Sequence, residues 1–234
     1  DARLRTVSDE ISDGYVYQAS SVTLNMSGAS RESSLDTLKV LVHRYPGLRR
    51  LRIEQLQQRD EDAVFAVLQT ISERTKQPLR TLEVTQCQMS VSAVKLSNVL
   101  RNLTSLTTLN LTQNTFIFRA LVRALNNLTS LTTLDLSRNL IGRNVAKSLA
   151  PALKKLTSLT TLDLSRNTFG PGGATRLAPA LANLTSLTTL DLSHNQFGAA
   201  GATALAPALT NLTSLTTLNL SNNNLQAADA TTLA

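Results

Sequence analysis

Leucine returns along this chain in a fixed rhythm, and the rhythm changes period halfway through each unit. Near-identical strings begin at Leu103, Leu128, Leu156, Leu184 and Leu212, the first interval being 25 residues and the other three 28. Each reads L-x-x-L-x-L-x-x-N-x-apolar, as in Leu159, Leu162, Leu164, Asn167 and Phe169. Leucines two apart, such as Leu162 and Leu164, share one face of a strand, so Asp163 between them must point the other way. The second half, GPGGATRLAPALANL, places Ala174, Leu177 and Leu181 at helical spacing, with Gly170, Gly172 and Gly173 suiting the turn into the helix. The predicted unit is therefore strand, loop, helix, loop. Worn copies lie upstream at Leu79 (LRTLEVTQCQM) and Leu48 (LRRLRIEQLQ), and SSVTLNMSGAS, with Leu24 and Met26, predicts the first strand.

One such unit cannot bury its own leucines, so stability must come from stacking of neighbours. Stacking gives an α/β solenoid of about eight units, with a parallel sheet on one side and helices on the other. Inside the bend after each strand, Asn114, Asn139, Asn167, Asn195 and Asn223 should form a ladder whose amides satisfy backbone groups left unpaired by the turn. Cys87 takes the same slot upstream.

The 28-residue spacing and the string LDLSHNQFGAAGATALAPALTNLTSLTTLNLS resemble the ribonuclease-inhibitor class of leucine-rich repeats. The resemblance implies a right-handed horseshoe arc, with the sheet concave and short helices convex. It divides the chain into an N-terminal cap segment (1–20), divergent repeats (21–102) and regular repeats (103–234). The class includes ribonuclease inhibitors, NOD-like receptor sensor regions, Ran GTPase-activating proteins and bacterial effectors. Pro151, Pro179 and Pro207 depart from its usual helices. Proline removes a helix hydrogen bond and crowds the preceding turn, so short, kinked or prematurely ended helices are expected there. Because terminal repeats need polar caps, further chain is expected after Ala234.

The strand register lists the concave face. One column runs Arg50, Thr81, Thr108, Thr133, Thr161, Thr189, Thr217, and the next Arg52, Glu83, Asn110, Asp135, Asp163, Asp191, Asn219. Two more run Glu54, Thr85, Thr112, Ser137, Ser165, Ser193, Ser221 and Gln55, Gln86, Gln113, Arg138, Arg166, His194, Asn222. With strands about 4.8 Å apart, Asp135, Asp163 and Asp191 form a row of like charges, which costs stability unless Arg138 and Arg166 screen it. The face has no Trp or Tyr, the usual interface anchors. The partner-binding candidates are Arg50, Arg52, Glu54, Glu83, Gln86, Gln113, Asp135, Arg138, Asp163, Arg166, Asp191 and His194, with Arg50, Arg52 and Glu54 first because the repeats there have diverged.

Charge is unevenly placed along the chain. The net charge is +7, but residues 95–176 hold 11 basic side chains against Asp135 and Asp163, and no Lys or Arg follows Arg176. The band includes Arg119, Arg123, Arg143, Lys147, Lys154, Lys155 and Arg176, mostly in helical segments. A nucleic-acid or anionic-lipid surface is one reading, but without interleaved aromatics (3% of the chain) a solvated helix face is the better one.

Chemistry finds little support. Two separated histidines, His43 in VLVHRYP and His194 at a strand end, and one cysteine provide no metal cluster and no CxxC. No P-loop or GxGxxG follows a strand. Cys87 reads as a buried structural thiol rather than a nucleophile. No cofactor is implied and this region is not expected to be an enzyme. The N-x-S/T sequons at Asn25, Asn102, Asn110, Asn127, Asn183, Asn211 and Asn219 follow from the repeated strings. The expected function is recognition of a protein partner by a monomer without a membrane span. A single cysteine favours a cytoplasmic site, which becomes a host cytosol if the chain belongs to a bacterial effector. A GTPase-activating role rests on fold analogy alone.

Overall fold

The computed structural model describes residues 21–25, 47–56, 61–73, 79–87, 93–114 and 118–229. The cap segment 1–20 and His43 lie outside them. Among the described residues eight strands form one parallel sheet in chain order: β1 (Ser21–Asn25), β2 (Arg50–Glu54), β3 (Thr81–Thr85), β4 (Thr108–Asn110), β5 (Thr133–Asp135), β6 (Thr161–Asp163), β7 (Thr189–Asp191) and β8 (Thr217–Asn219). Helices alternate with them: α1 (Glu61–Ser72), α2 (Ala93–Asn102), α3 (Phe118–Leu125), α4 (Arg143–Leu153), α5 (Gly170–Leu181) and α6 (Gly198–Thr210). The register aligns Arg50 with Thr81, Thr108, Thr133, Thr161, Thr189 and Thr217.

The core is a stack of leucine layers. Leu109, Leu134, Leu162 and Leu190 at the strand centres are fully buried, as are Leu111, Leu136, Leu164 and Leu192 two residues later. From the helices, Ala174, Leu177 and Leu181 seal the layer on the side their spacing predicts. Below the sheet a hydroxyl ladder joins the units: Thr132, Thr160, Thr188 and Thr216 each donate Oγ1–H to the carbonyl of the corresponding threonine one unit back, at 3.0–3.1 Å.

The prolines do not shorten the helices. α4, α5 and α6 run 11, 12 and 13 residues, unbroken through Pro151, Pro179 and Pro207. Each proline sits in the last turn, with its ring exposed. Little helix remains beyond it to be disturbed by the missing N–H. The glycines divide their labour. Gly170 and Gly198 hold φ of +59° and +57°, a left-handed turn suited to glycine, and donate to the carbonyls of Asn195 and Asn223 in the next unit. Gly173 and Gly201 instead give room: a Cβ there would meet the Cβ of Phe169 or Phe197 at 2.7 or 2.6 Å.

Candidate interaction face

The turn after each strand positions the face. Asp135, Asp163 and Asp191 end their strands, and each Oδ1 accepts the backbone N–H of the serine two residues on at 2.8 Å. Asn110 and Asn219 do the same for Thr112 and Ser221. This local turn needs a short side chain with a carbonyl-type oxygen, which explains why the column alternates only between Asp and Asn in β4 to β8. The row of carboxylates therefore stops the strands as well as lining the sheet.

Burial raises the Asp163 carboxyl above its ordinary value; hydrogen bonds from Ser165 oppose that rise, and the charges of Asp135 and Asp191 add to it. Arginine does not pair with this row: among the described residues no ion pair joins Arg138 or Arg166 to these aspartates. The reason is backbone geometry. Gln55, Gln86, Gln113, Arg138, Arg166, His194 and Asn222 all hold φ between +52° and +59°. This left-handed step swings the side chain away from the strand row, and Gln86, Gln113, Arg138 and Arg166 are exposed. His194 is half-buried, its Nε2 3.1 Å from Nδ2 of Asn222. Asn219 Nδ2, rather than an arginine, reaches Asp191 Oδ2 at 2.8 Å.

The serine column is a second correction. Ser137, Ser165 and Ser193, and Thr85 upstream, are buried rather than presented to a partner. The chain is already turning over the core at this position. The ladder lies where the pattern put it. Asn139 Nδ2 donates to the carbonyls of Leu111, Leu136 and Ser137, each at 2.9 Å, and its Oδ1 accepts the N–H of Asn114. Asn114, Asn167, Asn195 and Asn223 donate in the same way. Asn195 Oδ1 is buried without a partner among the described residues. Cys87 is 1% exposed; its N–H bonds Asn114 Oδ1 at 2.9 Å and its Sγ–H reaches the Thr85 carbonyl.

The divergent strands carry a different surface. Arg52 Nε lies 2.7 Å from Glu54 Oε1 on its own strand and 3.5 Å from Glu83 Oε2 on the next. The Arg52 side chain is nevertheless 48% exposed, and Arg50 beside it is exposed. Gln55 and Gln86 pair through their amides at 3.2 Å. Arg50, Arg52, Glu54 and Glu83 are thus brought together on one face. Two features were missed from sequence: the threonine hydroxyl ladder and the left-handed column. The TT doublet at the start of each of β4 to β8 was the available signal for the first; no residue type marks the second, because glycine does not occupy it. Among the described residues no cluster of His, Cys, Asp or Glu could hold a metal ion, and no helix is long and apolar enough to cross a membrane.

Four stretches, 127–150, 155–178, 183–206 and 211–234, match the family model described as Leucine Rich repeat. The fold is similar to that of an internalin from Listeria monocytogenes, 22% identical with a TM-score of 0.51, over 82% of this chain and 53% of that one. It is also similar to a protein from Bacteroides fragilis, 13% identical with a TM-score of 0.50, over 91% of this chain and 66% of that one. The chain thus spans about half the length of the internalin. A search of the curated proteins finds no match. The stacked strand–helix units thus form an α/β leucine-rich-repeat solenoid, and the four matched stretches within 127–234 are leucine-rich repeats.

Proposed function

We infer that this solenoid is a protein-recognition module, and that it reads its partner with the exposed sheet face of β2 and β3. The carrying observation is the Arg52–Glu54–Glu83 cluster, an exposed guanidinium held in place by two carboxylates from neighbouring strands. Orienting a charge before a partner arrives reduces the ordering that binding must impose. Farther along, Asp135, Asp163 and Asp191 are committed to local turns, which supports placing specificity in the divergent units. Gln86, Gln113, Arg138, Arg166 and His194 border the face from the left-handed column. The 28-residue period and the helices of 11 to 13 residues support the ribonuclease-inhibitor class. The regular repeats and single cysteine support a monomer working in cytosol, as the recognition part of a larger protein such as a bacterial effector.

The test is capture of a partner on the immobilised chain, followed by titration with purified material. Arg50→Glu together with Arg52→Glu should weaken binding by about tenfold or more, because like charges then face each other across the contact. Unchanged affinity in a folded double variant would overturn the assignment of this face.

A further inference from the structure

Tandem repetition gives this protein an internal control. A position doing only structural work should hold similar residues in neighbouring units, and one unit fails this test on its surface. Arg143, Lys147, Lys154 and Lys155 are exposed. Their equivalents 28 residues on are Pro171, Thr175, Ala182 and Asn183, and in the following unit Ala199, Thr203, Thr210 and Asn211. α5 and α6 build the same helix without charge at any of these places. Leu140, in the loop entering α4, is 75% exposed, whereas its equivalents are Thr168, Gln196 and Asn224.

Two of these departures oppose local stability. Leu140 holds φ +53°, a conformation disfavoured for a leucine, while presenting its apolar side chain to water. Arg143 places a cation at the N-terminus of α4, where the helix dipole is unfavourable; the N-cap Gly142 makes no side-chain cap bond and the first turn has no acid. Gly172 of α5 leaves space for the Arg143 stem, since a Cβ there would lie 2.7 Å from its Cδ.

The charges are aligned and unanswered. At about 100° per residue, Arg143 and Lys147 in α4 and Lys154 at its C-cap, still in helical conformation, fall within about 40° of one line, over about 16 Å. α2 to α6 contain no Asp or Glu, and among the described residues none of these cations has an ion-pair partner. We propose that Leu140 and the Arg143–Lys147–Lys154 face of α4 form a second docking surface, which takes an acidic polypeptide segment carrying an apolar side chain. Carboxylates meet the three cations and the apolar side chain covers Leu140. An acidic protein segment fits better than nucleic acid: among the described residues with assigned burial, Phe65, Phe169 and Phe197 are buried and offer a base no ring to stack on. A phosphate backbone would also leave Leu140 uncovered.

Fluorescence anisotropy with a short labelled peptide of glutamates interspersed with leucines tests this on the whole chain. Saturable binding that weakens with added salt is expected. Arg143→Glu with Lys147→Glu should weaken it about tenfold or more. Leu140→Thr, the residue of the next unit, should weaken this peptide but leave a leucine-free polyglutamate unaffected. Melting curves establish that the variants are folded, these positions being exposed. Peptide affinity unchanged by the charge reversals, or insensitive to Leu140→Thr, would overturn the proposal. So would tighter binding of labelled duplex DNA or phosphatidylserine vesicles that the same reversals abolish.

Discussion

Asp163 shows how one side chain can serve the turn and oppose the sheet. Its oxygen closes the bend to Ser165, while its charge sits half-buried between those of Asp135 and Asp191. Asparagine closes the same bend at Asn110 and Asn219. Asp163→Asn should therefore keep the turn and raise stability at pH 7 by about 0.5 kcal/mol, the size of a cross-strand like-charge contact. The sign follows from linkage: a carboxyl raised in the folded state destabilises it while ionised, and that penalty fades as pH falls through the raised value. Denaturant titrations should show the advantage of the variant at pH 7 shrinking with acidification, and vanishing below the ordinary Asp value of 3.8. An advantage that persists in acid would point to another cause.

At the scale of the element, two glycines of similar sequence setting separate into different roles. Ala202 and Leu205 beside Gly201 are buried, and Phe197 beneath it is 1% exposed and has nowhere to go. Gly201→Ala gains helix propensity of about 1 kcal/mol but forces a Cβ to 2.6 Å from that of Phe197. Overpacking of this kind costs about 1–3 kcal/mol, so thermal melts should show net destabilisation. Gly172→Ala meets only the movable stem of Arg143 and should be neutral or stabilising. The helices themselves were legible in sequence from the spacing of Ala174, Leu177 and Leu181. Their passage through Pro179 was not, because proline's effect depends on how much helix follows it. Here the helix ends two residues later, at Leu181.

Across the whole molecule, each unit is held by its neighbours, so stability is distributed along the stack. The central layers are sealed on both sides: Leu134, Leu162 and Leu190 are fully buried. Leu218, the equivalent residue of β8, is 41% exposed. Native-state hydrogen exchange should find the amides of β5 to β7 protected most strongly and those of β8 opening at lower free energy. Equal protection in β8 and β6 would contradict a nearest-neighbour stack. The same logic divides the surface: the regular units supply a rigid frame, while the departures at β2–β3 and at α4 are the proposed recognition sites.

The sequence alone determined the solenoid, its strand register and the asparagine ladder. These follow from a period of two changing to a helical period, repeated at 28 residues, and a buried leucine every second strand position admits no other register. It also brought Arg50, Arg52, Glu54 and Glu83 to one face. Tertiary structure alone decided which face residues remain available to a partner. The left-handed step at Arg138 and Arg166 removes them from the aspartate row, and the turn of the chain buries Ser137 and Ser165. At the residue leaving the strand, arginine, glutamine and histidine adopt one left-handed conformation, and each donates its backbone N–H to the next unit.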